Sequence, residues 1–173
     1  MSELLGTFNP EQMVIAISVQ DVDHTINGYA DGTFLTFSRL IPASTLYSGA
    51  DNTRGRVKRT NKDTTITLTL HQFATSNAVL QELQRADEED SRNRYVFAIT
   101  IKDMSGTSVW SSNQAFISTV PDAPFGTDTS TRDWVITAVN LQSHIGANTE
   151  FSQDEVAALG SLGYDVPIDW QLQ

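Results

Sequence analysis

Across residues 65–71 apolar and polar positions alternate without a break. Ile66, Leu68 and Leu70 fall on one side, and Thr65, Thr67, Thr69 and His71 on the other. A period of two with β-branched residues on both faces predicts a strand with one face on a core. The other face carries small hydroxyls and a histidine, which suits a strand looking into water. The period then changes. Val79, Leu80, Leu83 and Ala86 share one side of a helix over residues 76–86, capped by Ser76 or Thr75. One strand thus feeds one short amphipathic helix, and the chain is organised around that pair.

The rest of the domain reads as strand and turn. Met13, Ile15, Ile17 and Val19 alternate as a first strand. Residues 20–23 make a turn, and 24–27 start a second strand. Gly28-Tyr29-Ala30-Asp31-Gly32 is a turn signature, and 33–39 follow as a third strand, giving a compact meander. Residues 40–63 hold Pro42, Gly49, Gly55 and many hydroxyls, long for a connection and so functional or disordered, or else an extended hairpin with its tip near 49–52. Asp87-Glu88-Glu89-Asp90 oppose a helix macrodipole and are expected beyond its last turn, in solvent. Tyr95, Phe97, Ile99 and Ile101 alternate toward a core, 103–106 is a hairpin turn, and 109–118 the return strand. Residues 120–130, with Pro121, Pro124 and Gly126, form a second irregular loop. Residues 134–141, apolar on both faces, suggest a central strand.

Beyond Gly146, Ser152-Gln153-Asp154-Glu155 fits a capping box for a short helix stopped at Gly160, and 164–173 read as an extended tail. The division is an arm (1–12), a domain (13–146, with the long loop 40–63) and a C-terminal extension (147–173). About seven antiparallel strands and one flanking α-helix give a mainly β chain, a β-sandwich or partly rolled barrel.

Length, composition and charge sharpen this picture. At 173 residues the chain suits one domain with appendages. Without cysteine there is no disulfide framework, thiolate chemistry or cysteine-ligated metal. The first residues lack the basic and apolar regions of a signal peptide, and no apolar run reaches the ~20 residues of a membrane span. The net charge of −10 argues against general nucleic-acid binding, since phosphate affinity comes from Lys and Arg. Of the eleven basic residues, five cluster as Arg54, Arg56, Lys58, Arg59 and Lys62. From Glu150 onward there are only acids. A basic arm and an acidic tail on one molecule suit self-association.

No catalytic constellation emerges. His24, His71 and His144 lie far apart without ligand-like neighbours, so each reads as a polar strand or surface residue, and no metal or other cofactor is expected. Asp21 and Asp23 read as turn residues rather than a catalytic carboxylate pair. Residues 87–90 lack the spacing and glycine of a calcium loop. The basic run has no interleaved aromatics, which favours partner docking over nucleic acid. Trp110, Trp134 and Trp170 read as core or interface. Three classes compete: a self-polymerising structural subunit, a monomeric β-sandwich binding or decoration module, and an enzyme such as a glycan hydrolase, for which no carboxylate pair can be nominated.

Taken together, Ile26-Asn27-Gly28-Tyr29-Ala30-Asp31-Gly32-Thr33-Phe34, the strand–Ser76-Asn77–helix passage over 65–83, Ile101-Lys102-Asp103 and Trp134-Val135-Ile136 resemble the tail tube proteins of contractile-tailed bacteriophages. The resemblance runs over roughly residues 13–146 and leaves out the acidic extension. It implies a β-sandwich with a flanking helix, six copies closing a ring whose inner wall is a continuous β-barrel, and rings stacking into a hollow tube. The implied role is structural and non-enzymatic, in a virion tail assembled in the host bacterial cytoplasm. The implied partners are further copies of the chain, the tail sheath, the tape-measure protein, baseplate and tail-terminator proteins, and viral DNA that transits the lumen without specific binding; no membrane is involved. The fold is shared with secretion-system inner tubes, the alternative within this class. On this reading Thr65, Thr67, Thr69 and His71 line the lumen. Arg54, Arg56, Lys58, Arg59 and Lys62 reach an adjacent ring, where Asp87, Glu88, Glu89 and Asp90 or the C-terminal tail receive them.

Overall fold

A computed structural model describes residues 5–172. Residues 1–4 of the arm and residue 173 of the tail lie outside the described residues. Ten strands and two α-helices follow in the order β1 (Met13–Val19), β2 (Val22–Thr25), β3 (Leu35–Arg39), β4 (Ser44–Ser48), β5 (Arg54–Lys58), β6 (Thr64–His71), α1 (Ser76–Glu89), β7 (Phe97–Asp103), β8 (Val109–Thr119), β9 (Thr131–Val139), β10 (Gln142–His144) and α2 (Gln153–Ser161). The chain is mainly β with antiparallel pairing throughout its sheets, as the periodicity predicts.

One sheet runs β2-β1-β7-β8-β9-β6-β3, with β10 also on β8. It curls at β8, where the register with β7 slips between Phe97 and Ile99, and the register with β9 slips between Ile117 and Thr119. Such bulges bend a strand and increase its twist. The two halves thereby close over one core of Ile15, Ile17, Ile66, Leu68, Leu70, Phe97, Ile99, Ile101, Trp134 and Ile136. Phe37 of β3 stacks on Trp110 of β8, with ring centroids 4.3 Å apart, although two strands, β9 and β6, lie between them in the sheet. This is the rolled sandwich that the pattern predicts.

α1 plugs the flank with Leu80 and Leu83. Its first residue, Ser76, is fully buried and knots helix to strands. The Oγ accepts from Asn27 N (2.9 Å) and bonds His24 Nε2 (2.9 Å). Trp134 Nε1 donates to Asn77 Oδ1 at 2.9 Å, and Asn77 Nδ2 donates to His71 O at 2.8 Å.

Several boundaries depart from the sequence pattern. The second strand starts two residues earlier, because Gln20 adopts a left-handed conformation (φ 51°) and closes a tight turn pairing Val19 with Val22. The first three strands are not a meander. β3 pairs with β6, so β2 and β3 end up at opposite edges of the sheet. The linker between them crosses the core: Ile26 and Ala30 are buried, Tyr29 bridges Leu70, and its hydroxyl donates to Met13 O (3.1 Å) and Ile26 O (3.2 Å). Gly28 makes the crossing with positive φ (77°), packed on Ala74.

α1 runs three residues beyond residue 86 and takes in Asp87, Glu88 and Glu89. Arg85 offsets the unfavourable dipole by bridging Glu82 (2.8 Å) and Glu89 (3.0 Å). The helix over the capping box is α2, with both reciprocal bonds of Ser152 and Glu155 formed. The final segment is folded back rather than extended. Residues 168–170 make a 3-10 turn, Val166 is buried, and Phe151 N and O bond Trp170 O and Leu172 N.

Candidate assembly surfaces

β6 follows its sequence pattern strictly: Ile66, Leu68 and Leu70 are buried, while Thr65, Thr67, Thr69 and His71 are only partly covered. The register extends this polar face over three neighbours. Thr36 and Ser38 of β3 stand opposite Thr67 and Thr65; Asp133, Val135 and Thr137 of β9 stand opposite Thr69, Thr67 and Thr65. On β8, Ser118 Oγ bonds Thr137 Oγ1 at 2.7 Å. Thr69 donates to Asp133 Oδ1 at 2.8 Å. The result is a four-stranded ribbon, β8-β9-β6-β3, whose one face is core and whose other face bears hydroxyls, one carboxylate, the apolar Val135 and Phe116, and neither Lys nor Arg.

His71 stands apart from the three threonines. Its ring stacks on Phe73 at 5.5 Å, its Nδ1 is buried without a partner among the described residues, and it lines a hollow with Tyr29, Asp31 and Phe34 at the end of the strip.

One long edge of this ribbon is open along its length, and the other is open at one end only. β3 has β6 on one side only. Leu40 N bonds Asp63 O and Thr69 N bonds Phe34 O, so even-numbered residues of β3 face β6. By antiparallel alternation the backbone groups of Leu35, Phe37 and Arg39 point at the free edge. At the far side, the ladder between β7 and β8 ends at Phe97–Ala115, which leaves residues 116–119 of β8 paired with β9 alone. Open edges of this kind template further pairing.

The long connection is a free-standing hairpin, β4–β5, and every residue of both strands is exposed. Gly49 N–Thr53 O and a positive φ at Asn52 (64°) close its tip. Hydrogen bonds from the Thr53 hydroxyl and backbone hold the Asp51 carboxyl below the usual range. The pairing Ser44–Lys58, Leu46–Arg56 and Ser48–Arg54 puts three cations on one face, while Thr45, Tyr47 and Val57 share the other. A lone two-stranded hairpin is marginally stable in water. This one also leaves Leu46, Tyr47 and Val57 at 73%, 69% and 49% exposure, so its shape calls for a partner. Lys62 Nζ donates to Gln142 Oε1 at the base of the hairpin; Arg56, Lys58 and Arg59 have no side-chain bond among the described residues.

The acids paired with it in the sequence reading are largely engaged within the chain. Glu88 accepts from Gln84, Glu89 from Arg85, and Asp90 from Arg92 N, Arg94 N and Arg94 Nε. The backbone N–H of Arg94, followed by its guanidinium, holds the Asp90 carboxyl below its ordinary value.

Sequence reasoning missed the opposite end of the ribbon. There Gln72 Oε1 accepts from Ser130 N and Oγ, tying loop 120–130 to the end of β6. Arg132, buried beside Leu70 in register, donates to Ser130 Oγ (2.6 Å) and Thr131 O (3.0 Å) and sits 5.2 Å from the Phe125 ring. Phe73 and Phe125 are left 71% and 85% exposed. The alternation Arg132-Asp133-Trp134, followed one residue further back along β9, would have placed Asp133 on the polar face.

The family model of the bacteriophage PhiTE tail tube protein matches residues 18–146. Structural protein ORF10 of Pseudomonas phage KPP10 is 33% identical over 172 residues, 98% of this chain and 99% of that protein. Among solved structures, the tube-terminating cap of the anti-feeding prophage is 14% identical over 82% of this chain and 95% of its own, with a TM-score of 0.48. A chain of the PVC sheath-tube complex, an extracellular contractile injection system in its extended state, is 15% identical over 80% and 93%, with a TM-score of 0.49.

Proposed function

Because the chain belongs to the PhiTE tail tube protein family of bacteriophages, we propose that it forms the wall of a hollow phage tail tube, with its polar ribbon turned to the lumen. The observation that carries this reading is the ribbon itself: four strands, a core on one face, a hydroxyl-rich, cation-free face on the other, an unpaired edge at β3 and an unpaired end of β8 at residues 116–119. The free edge of β3 on one copy pairs with residues 116–119 of β8 on the next. That contact is heterologous, so it builds a ring if the rotation closes. Closure by six copies removes every edge of the barrel at once. Thr65, Thr67 and Thr69 then line the channel, with His71 at one mouth.

Rings stack through the β4–β5 hairpin, which carries Arg54, Arg56 and Lys58 away from its own subunit. Viral DNA passes a wall of hydroxyls and the Asp133 carboxylate, which offers phosphate no counter-charge. The sheath of a contractile tail surrounds the tube, the tape-measure protein fills it during assembly, and baseplate and tail-terminator proteins bound its ends. The chain's place is therefore the virion tail, and its work is structural.

Cryo-electron microscopy of tails containing this chain tests the reading. The expected map has stacked six-fold rings with β6 on the channel wall. A map in which Thr67 and Thr69 face away from the channel, or in which neighbouring copies share no β ladder, overturns it.

A further inference from the structure

We infer that the hairpin of one copy is received by the loop 120–130 platform of a second copy in the adjacent ring, with Tyr47 and Val57 seated beside Phe73 and Phe125. This rests on the tube reading and names the surface that reading leaves open. The hairpin leads through residues 59–63 into the first residue of β6, and Phe73 lies two residues past its last. Loop 120–130 leads into β9, whose Thr131 pairs with His71. Hairpin and platform therefore sit at opposite ends of the same strand pair, which at about 3.3 Å per residue spans roughly 23 Å. In a head-to-tail stack, the end that sends out a hairpin meets the opposite end of the next subunit.

The two ends match chemically. The hairpin offers an aromatic and an aliphatic side chain on one face and three cations on the other. The platform offers two exposed phenylalanines and an open hollow of ≈ 620 Å³ lined in part by Val120, Pro121, Asp122, Pro124 and Asp133. Its loop carries Asp122 and Asp128 and no basic residue. Neither acid makes an ion pair or side-chain hydrogen bond among the described residues, unlike Glu88 and Glu89 of α1 and Asp90 just beyond it. The apolar face of the hairpin complements the exposed aromatics of the platform, and the cations of its other face complement the acids of the loop that surrounds it.

The chain has no cysteine, so paired cysteines report one contact cleanly. Tubes of the Tyr47→Cys/Phe125→Cys variant, assembled under reducing conditions and treated with a short bismaleimide, should give a covalent ladder of multimers on denaturing gels. Tubes of Tyr47→Cys/Leu162→Cys, whose second cysteine lies on the exposed C-terminal extension, should give none. A ladder from the second variant and not the first overturns the inference and leaves the tube reading standing. Charge reversal provides an independent measurement. Asp122→Lys/Asp128→Lys should leave rings but no tubes, and adding Arg54→Glu/Arg56→Glu should restore tubes. Tubes of normal length from the Asp→Lys variant overturn the inference. Wild-type tails without rings remove the premise itself and the inference with it.

Discussion

The Ser76 hydroxyl sits where three segments meet, and its worth comes from burial. It satisfies Asn27 N and His24 Nε2 in a place water does not reach. Ser76→Ala strands the Asn27 amide and should destabilise the monomer by about 1–3 kcal/mol in urea titrations. Thr67→Ala, one residue from equally buried neighbours but on the polar face, should change monomer stability by less than about 0.5 kcal/mol. Equal losses at both sites would mean the Thr face is core. The Asp90 carboxyl supplies a pH signature. Its folded value lies below the ordinary 3.8, chiefly through the Arg94 backbone N–H. The native state therefore binds its proton later than the unfolded state as pH falls. Its stabilising contribution is complete above the ordinary range and is lost as pH drops through the lower folded value. Asp90→Asn should flatten the fall in urea midpoint between about pH 6 and about pH 3; an unchanged slope would refute this role.

At the scale of elements, the two features to which the proposal assigns assembly are those the monomer can lose. The N–H of Arg39 points at the free edge of β3, so Arg39→Pro leaves the β6 ladder intact and blocks an incoming strand. Circular dichroism should stay native while size-exclusion chromatography shows only monomer; rings from this variant would exclude β3 as a ring contact. The hairpin has no packing on its own subunit's core, and its residues are exposed throughout. Arg56→Glu/Arg59→Glu should therefore leave the thermal midpoint within about 2 °C of wild type while tube growth fails. Each rim pair contributes only about 0.2–1 kcal/mol, and repetition around a ring makes the sum decisive. Tubes of wild-type length from this variant would assign stacking to other contacts.

For the whole molecule, charge is distributed by task. The chain carries −10 overall, gathers Arg54, Arg56, Lys58, Arg59 and Lys62 on and beside the hairpin, and keeps Lys and Arg off the ribbon face. In the proposed tube, a channel for a polyanion works by not binding it. Tubes of the wild-type chain should show no DNA retention at physiological salt. Thr67→Lys tubes, with a cation repeated around each ring, should retain DNA in a manner that weakens steeply as salt rises. Retention by wild-type tubes would contradict a non-binding wall.

The sequence by itself determined what depends on local periodicity. Period two at 65–71 decided which side of β6 is core. The change of period after His71 located α1, and Ser152 with Glu155 located α2, because those signals act within a few residues. The cation cluster and the hairpin alternative for 40–63 were equally legible, since an alternating, glycine-tipped segment has few other options. Tertiary structure alone decided which strands are neighbours. Leu35 and Phe37 pair with β6 rather than β2 because burying Ile26 and Ala30 carries the linker across the core, a gain no local pattern encodes. The same holds for Phe73 and Phe125, whose placement at the same end of the ribbon depends on Thr131 pairing with His71 some sixty residues away. Contacts between distant segments are chosen by the total area buried, and that sum exists only once the chain has folded.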